Sequence, residues 1–198
     1  MQLAVSRVGG AVRAHRLDQR ATAAQPVAAE VRPMRLDDLA CVAAIQAGAY
    51  AVDLLEDDAT LRARFSGFPD TAWVAEGPSG VCAYLVAYRS VLDKVSPLGG
   101  HFESPTHANC LYLHDLAIDA RAAGQQLGSL LVRQALVAAK KQGLAYSALV
   151  SVQNSQAFWQ RLGYQPRMLV ARQQQRQLAT YPGHSTYMAQ ALGREFAL

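Results

Sequence analysis

The stretch LYLHDLAIDARAAGQQLGSLL, residues 111–131, begins as a strand and ends as a helix. Apolar residues fill 111–118 except at His114 and Asp115. The turn then carries Asp119, Arg121 and Gly124, and apolar spacing resumes at Leu127, Leu130 and Leu131. A strand that runs through such a turn into a helix presents unpaired backbone N–H groups at the helix start. Those amides and the helix dipole bind phosphate. Gly124 lets a ligand approach the backbone, Gly128 lets the first helical turn pack closely, and Arg121 can add a charge-assisted contact. The spacing is neither GxxxxGK[ST] nor GxGxxG, so neither a P-loop nor a dinucleotide fingerprint is supported. An ordinary strand–helix turn with a glycine for sterics stays open at this point.

Working outward, 30–35 reads as an opening strand that Pro33 places at an edge. A helix follows over 36–50, with Leu36, Leu39, Val42 and Ile45 near helical spacing and acids in its first turn. A second helix spans 55–69, with Leu61 and Phe65 on one face and Pro69 as its stop. TAWVAE and GVCAYLVAYRS are strands joined by the hairpin signal GPSG. Residues 91–108 carry prolines, glycines and histidines with no periodicity, the mark of a functional loop. The helix after the turn puts Leu127, Leu130, Leu131, Leu136 and Val137 toward a sheet and ends with Lys140, Lys141 and Gly143. YSALVSV is a strand, NSQAFWQRLGY an Asn-capped helix closed by Gly163, and YQPRMLV and STYMAQAL are strands. That order gives an α/β (α+β) domain: a mixed sheet of about six to seven strands flanked by helices, neither doubly wound nor a barrel.

The bulk numbers fit one such domain. The chain has 198 residues, 51% of them hydrophobic and 17% charged, enough for a real core. No apolar run approaches the roughly 18 residues that span a bilayer, so no membrane is expected as a partner. The formal charge of +4 favours an anionic ligand, but the arginines are scattered and no basic block points to nucleic acid. Cys41, Cys82 and Cys110 form no CxxC pair, which argues against disulfides and zinc. They fit small buried thiols in a reducing, cytoplasmic setting. His101 and His107 read as solvated loop residues, and no metal site is expected. Residues 1–28 are rich in Ala and Arg without a continuous apolar core, unlike a secretory signal. An organellar transit peptide is the alternative, but Asp18 and the few serines favour a flexible or loosely ordered extension, followed by a single domain over 29–198.

Two segments carry a family resemblance. Arg121-Ala-Ala-Gly124-Gln-Gln126 resembles the [R/Q]xxGx[G/A] signature of the GNAT family of N-acetyltransferases, and NSQAFWQRLGY resembles that family's second landmark. The strand order from Glu30 to Leu192 is similar too, so the likeness covers most of the chain. It implies a mostly antiparallel sheet and an N-acetyltransferase that moves the acetyl group of acetyl-CoA directly to a primary amine, without a metal. It also implies a cofactor site. The strand around Leu116, Ala117 and Ile118 would pair with the pantetheine arm, and a backbone N–H near Leu116 or Ala117 would polarise the thioester. The turn with Arg121, Ala123, Gly124, Gln125, Gln126, Leu127, Gly128 and Ser129 would hold the pyrophosphate, and Asn154 and Phe158 would lie beside the arm. Two positions depart from the pattern. Gln126 replaces a small residue, and Trp159 replaces the tyrosine thought to protonate the leaving thiolate, a role no indole can fill.

The His-Asp pair supplies the remaining chemistry. A histidine near its ordinary pKa of about 6.5 can take the proton an attacking amine must lose. Tyr112, His114, Leu116 and Ile118 alternate onto one face unless a bulge intervenes. YLHDLAI is similar to the HLHALAV strand of the arylalkylamine N-acetyltransferase branch, whose histidines serve a water-relayed base. His114 matches the second histidine and Tyr112 replaces the first, making both candidate catalytic residues. Asp115 would face away, or would bind a cationic amine if a bulge rotates it. Phe68 and Phe102 are core residues or walls of an aryl pocket. The expected acceptor is a small-molecule amine. The alternatives are a protein or peptide amine and a non-catalytic acyl-CoA sensor, with a monomer or homodimer as the assembly.

Overall fold

The computed structural model describes residues 3–4, 29–103 and 105–193. The extension expected over 1–28 therefore lies outside the described residues except for Leu3 and Ala4.

The sheet is built from Leu3–Ala4 (β1), Glu30–Pro33 (β2), Ala72–Gly77 (β3), Gly80–Ser90 (β4), Cys110–Ile118 (β5), Tyr146–Ser151 (β6), Gln165–Pro166 (β7) and Thr186–Ala191 (β8). Its order is β2-β3-β4-β5-β6-β8-β7, with β1 beside β5. Only the β1–β5 and β5–β6 pairings are parallel. This is the expected mixed, mostly antiparallel sheet. β2 lies at an edge, where Pro33 is tolerated.

The helices are Leu39–Ala49 (α1), Asp58–Gly67 (α2), Leu127–Lys141 (α3), Gln156–Arg161 (α4) and Arg172–Leu178 (α5). The start of α1 is fixed electrostatically. Arg32 of β2 donates to both Asp38 oxygens at 2.7 and 2.8 Å, and the Asp38 carboxylate also accepts from the Arg35 N–H at 2.7 Å. Asp57 caps α2 by accepting from the Thr60 N–H at 2.7 Å.

α3 covers one face of the sheet. Leu127, Leu131, Val132, Ala135 and Ala139 pack against Trp73, Leu85, Leu113 and Leu116. Leu127, Leu131 and Leu136 face the sheet as expected, whereas Leu130 and Val137 are exposed and the small Ala135 and Ala139 complete the buried stripe. α1 and α2 cover the other face, where Val42, Ile45 and Leu61 meet Val74, Tyr84, Val86 and Ala117. A third cluster, with Tyr88, Val95, Tyr112, Val150 and Tyr181, lies under the 91–109 loop.

Three local expectations change. The strand expected over 164–170 shortens to β7, and α5 follows it. α5 buries none of its residues, so it left no apolar period to read. Asn154 does not cap α4; it has φ 59, and Ser155 is the N-cap. The Ser155 hydroxyl donates to the Val152 carbonyl at 2.7 Å and accepts from Trp159 Nε1 at 3.2 Å. Cys110 is buried as expected, but Cys82 is only half-buried and Cys41 is exposed; all three are free thiols. Among the described residues no helix is long and apolar enough to cross a membrane.

Candidate active site

The site is set by the place where two parallel strands part. β5 pairs with β6 only at Cys110, Leu111 and Tyr112, while β6 continues along β8 to Ser151. From Leu113 onward the β6-side edge of β5 is left by β6. The same point carries a bulge: Val86 of β4 faces Asp115 and Ala87 faces Leu113, so His114 is the extra residue. This overturns simple alternation from Tyr112 to Ile118. Leu116 drops into the α3-side core, whereas His114 and Asp115 share the opposite face. Asp115 therefore does not point away from His114.

Both residues are buried, His114 at 1% and Asp115 at 2% exposure. The Asp115 carboxylate accepts from the Tyr50 hydroxyl at 2.5 Å, the Tyr84 hydroxyl at 2.7 Å and Gln46 Nε2 at 3.4 Å. Burial raises its pKa, an effect that the two phenols only partly offset. Burial holds both phenols well above their ordinary range, so they remain donors. Tyr50 also donates to the Leu116 carbonyl at 3.0 Å, which ties α1 to the strand behind the bulge.

His114 Nε2 lies 2.5 Å from Arg64 Nη1 and 3.3 Å from Glu56 Oε1, and Arg64 also pairs with Glu56. A guanidinium has no lone pair, so Nε2 is the accepting nitrogen in this arrangement. Nδ1 is buried without a partner among the described residues. Burial, reinforced by the Arg64 charge, pushes the His114 pKa well below the ordinary value. The expectation of a histidine near pH 6.5 is therefore corrected: a desolvated imidazole beside a cation stays neutral. The ring's one accepting nitrogen, Nε2, faces both Arg64 and Glu56.

The 91–109 loop closes over this corner. The Phe102 ring stacks on Tyr88 at 4.1 Å and meets the His114 ring edge-on at 4.6 Å. Arg64 lies over the same Phe102 ring at 4.7 Å and donates to the Gly100 carbonyl at 3.0 Å. A groove of about 360 Å³ between α2 and the loop is lined by Asp57, Arg64, Phe68, His101 and Phe102. Arg64 and Phe102 thus touch the groove on one side and His114 on the other. Tyr112 packs its ring 5.1 Å from that of Tyr88, and burial holds its phenol protonated, so it cannot serve as a base.

The turn after β5 carries two glycines, Gly124 and Gly128. Gly124 has φ 82 with open space where a side chain would stand. A Cβ on Gly128 would lie 3.2 Å from Ile118 Cδ1 and 3.3 Å from Phe158 Cζ, so Phe158 and Ile118 pack on the start of α3. Arg121 is bound by Asp119 through both carboxylate oxygens and is otherwise exposed. Gln126 is the N-cap of α3 at φ 60, a left-handed conformation that costs a side chain about 1 kcal/mol. Gln126→Gly is expected to raise stability by about 0.5 kcal/mol, the released strain less the glycine's unfolded-state entropy. Chemical denaturation checks this; a destabilised variant would show that the Gln126 side chain makes a compensating contact.

Trp159 is 1% exposed in the α3-side core, edge-on to Tyr164 at 5.5 Å. Tyr164 donates to or accepts from Ser147 Oγ at 2.7 Å and is core as well. Neither residue lies at the His114 corner. The residues that sequence reading missed are Glu56, Arg64, Tyr50, Tyr84 and Gln46. One signal was legible: Arg64 interrupts the stripe Leu61, Phe65, Phe68 on the inward face of α2.

The sequence model of the acetyltransferase (GNAT) family matches residues 42–164. A search of curated proteins finds no match. Solved structures give the same fold at low identity. The GphF GNAT-like decarboxylase in complex with isobutyryl-CoA has a TM-score of 0.65 at 18% identity, over 83% of this chain and 100% of that one. The ribosomal-protein-S18-alanine N-acetyltransferase from Escherichia coli has a TM-score of 0.57 at 17% identity, over 86% and 99%. The GNAT family N-acetyltransferase YhbS from Escherichia coli, in complex with CoA, has a TM-score of 0.53 at 20% identity, over 90% and 86%. With the family's strand–turn–helix, its parted strands and a sequence match over more than half its length, the chain belongs to the acetyltransferase (GNAT) family.

Proposed function

We propose that this protein is an N-acetyltransferase that moves the acetyl group of acetyl-CoA onto the primary amine of a small cationic molecule. The observation that carries the acceptor is the buried corner at the bulge. Glu56 is paired there with Arg64, His114 is neutral, and Asp115, whose pKa burial raises, is bonded among the described residues only to the neutral Tyr50, Tyr84 and Gln46, so the cluster has room for one more positive charge. An ammonium group beside Asp115 completes it, and a buried charge is tolerated when it is paired. Phe68 and Phe102 line the groove beside Arg64, and Phe102 meets His114, which supports an aryl-bearing amine of the arylalkylamine kind.

The residues divide the work. Asp115 pairs with the ammonium and His114 takes its proton, with Glu56 facing the imidazolium that forms. A backbone N–H near Leu116 or Ala117 polarises the thioester carbonyl, and the amine nitrogen attacks the carbonyl carbon as the C–S bond breaks. The open Gly124 turn and the first turn of α3, residues 121–129, suit the pyrophosphate of the donor. Acetyl-CoA supplies the activated acyl group. Trp159 takes no part in protonating the thiolate.

The test is CoA release from acetyl-CoA with arylalkylamines, polyamines, aminoglycosides and a lysine peptide. Turnover is expected with a small cationic amine and not with the peptide. Turnover with the peptide alone would overturn the acceptor. Acetyl-CoA binding without turnover on any amine would make the protein an acyl-CoA sensor.

A further inference from the structure

The β6-side edge of β5 already has an occupant. Leu3 pairs in parallel with Leu116, and Ala4 with Ala117. The opposite edge of those two residues is taken by β4, where Leu85 faces Leu116 and Tyr84 faces Ala117. β1 must therefore lie on the side that β6 leaves after Tyr112. That is the slot where the strands part, next to the bulge, and the slot that the family resemblance gives to the pantetheine arm of acetyl-CoA.

A sheet edge offers one row of N–H and C=O groups, and one extended chain can satisfy it at a time. A peptide strand and the pantetheine arm, itself an extended chain with two amides, compete for the same groups.

We propose that the Leu3–Ala4 segment is an intramolecular competitor of the acyl-CoA donor, a strap that fills the β5 slot and must leave before the donor binds. This rests on the acyl-CoA reading above. A tether holds the segment at high effective concentration, so even a two-residue ladder is populated without high intrinsic affinity. When only a fraction of molecules have an open slot, the apparent Kd rises by the reciprocal of that fraction. A strap closed in about 70–90% of molecules weakens donor binding about three- to tenfold.

The experiment is calorimetric binding of acetyl-CoA to the full chain and to its Leu3→Pro/Ala4→Pro double variant. Proline removes the backbone N–H groups and bars a regular ladder. A Leu3→Gly/Ala4→Gly variant provides a second, milder disruption through backbone entropy. Hydrogen exchange over 113–118 is followed in parallel. Expected are a three- to tenfold lower Kd in the proline variant, a smaller gain in the glycine variant and faster exchange of the β5 edge in both without donor. Equal Kd values in all forms, or weaker binding in the variants, overturn the strap and leave the acyl-CoA reading standing. Absence of acetyl-CoA binding in every form overturns both.

Discussion

Replacing Arg64 with methionine is expected to lower stability by about 3–5 kcal/mol, the usual cost of removing one partner from a buried ion pair. The Arg64 and Glu56 side chains are 6% and 7% exposed, so the abandoned carboxylate has little water to turn to. The same change deletes the donor to the Gly100 carbonyl and the cation over Phe102. The 91–109 loop therefore loses its anchor to α2. In a domain of this size the loss corresponds to a fall in Tm of about 10 °C. The double variant Glu56→Gln/Arg64→Met is expected to recover more than half of it, because the carboxylate that Arg64 paired with is removed as well. Thermal unfolding of the three proteins decides the matter. A shift of less than about 2 °C in Arg64→Met would mean that water reaches the corner and the pair is solvated.

His114→Ala is expected to reduce kcat with the best amine by about a hundredfold or more, the low end of what a positioned general base supplies. The pH dependence carries the sharper signature. Burial and Arg64 hold the folded His114 pKa well below the ordinary histidine value. The base is therefore already deprotonated at pH 6.5, and kcat is expected to show no histidine inflection there. Stability responds in the opposite sense to acid. Below about pH 6.5 the unfolded chain binds a proton that the folded chain refuses, so stability is lost as pH falls from that point toward the folded pKa. His114→Ala is expected to flatten that part of the curve in denaturation series at pH 7.5 and 5.5. Unchanged turnover in the variant would make His114 a structural residue and place the base elsewhere.

The legible parts of the site are those encoded by local chemistry. Gly124 and Gly128 announce a turn and a close helix start because only glycine tolerates φ 82 at the first, and the second has little room for a Cβ beside Ile118 and Phe158. The apolar run of β5 and the hairpin before it are equally local. Glu56 and Arg64 carry no such mark. They lie eight positions apart on a surface-looking segment and meet His114 at a separation of 50 residues or more. α5 was not legible for a different reason: with no buried face it has no period.

The sequence by itself determined that this is a mixed α/β domain with a glycine-bearing turn after its central strand, and that His114 interrupts that strand. These features follow from periodicity, glycine sterics and motif spacing, all of which act within a few residues. Only the tertiary structure decided that His114 is the bulged residue, that Asp115 turns to the same face, and that burial and Arg64 hold the imidazole neutral. Bulges arise from strand register, and pKa values from burial and charge brought together across the chain. Register and burial exist only once the strands are paired.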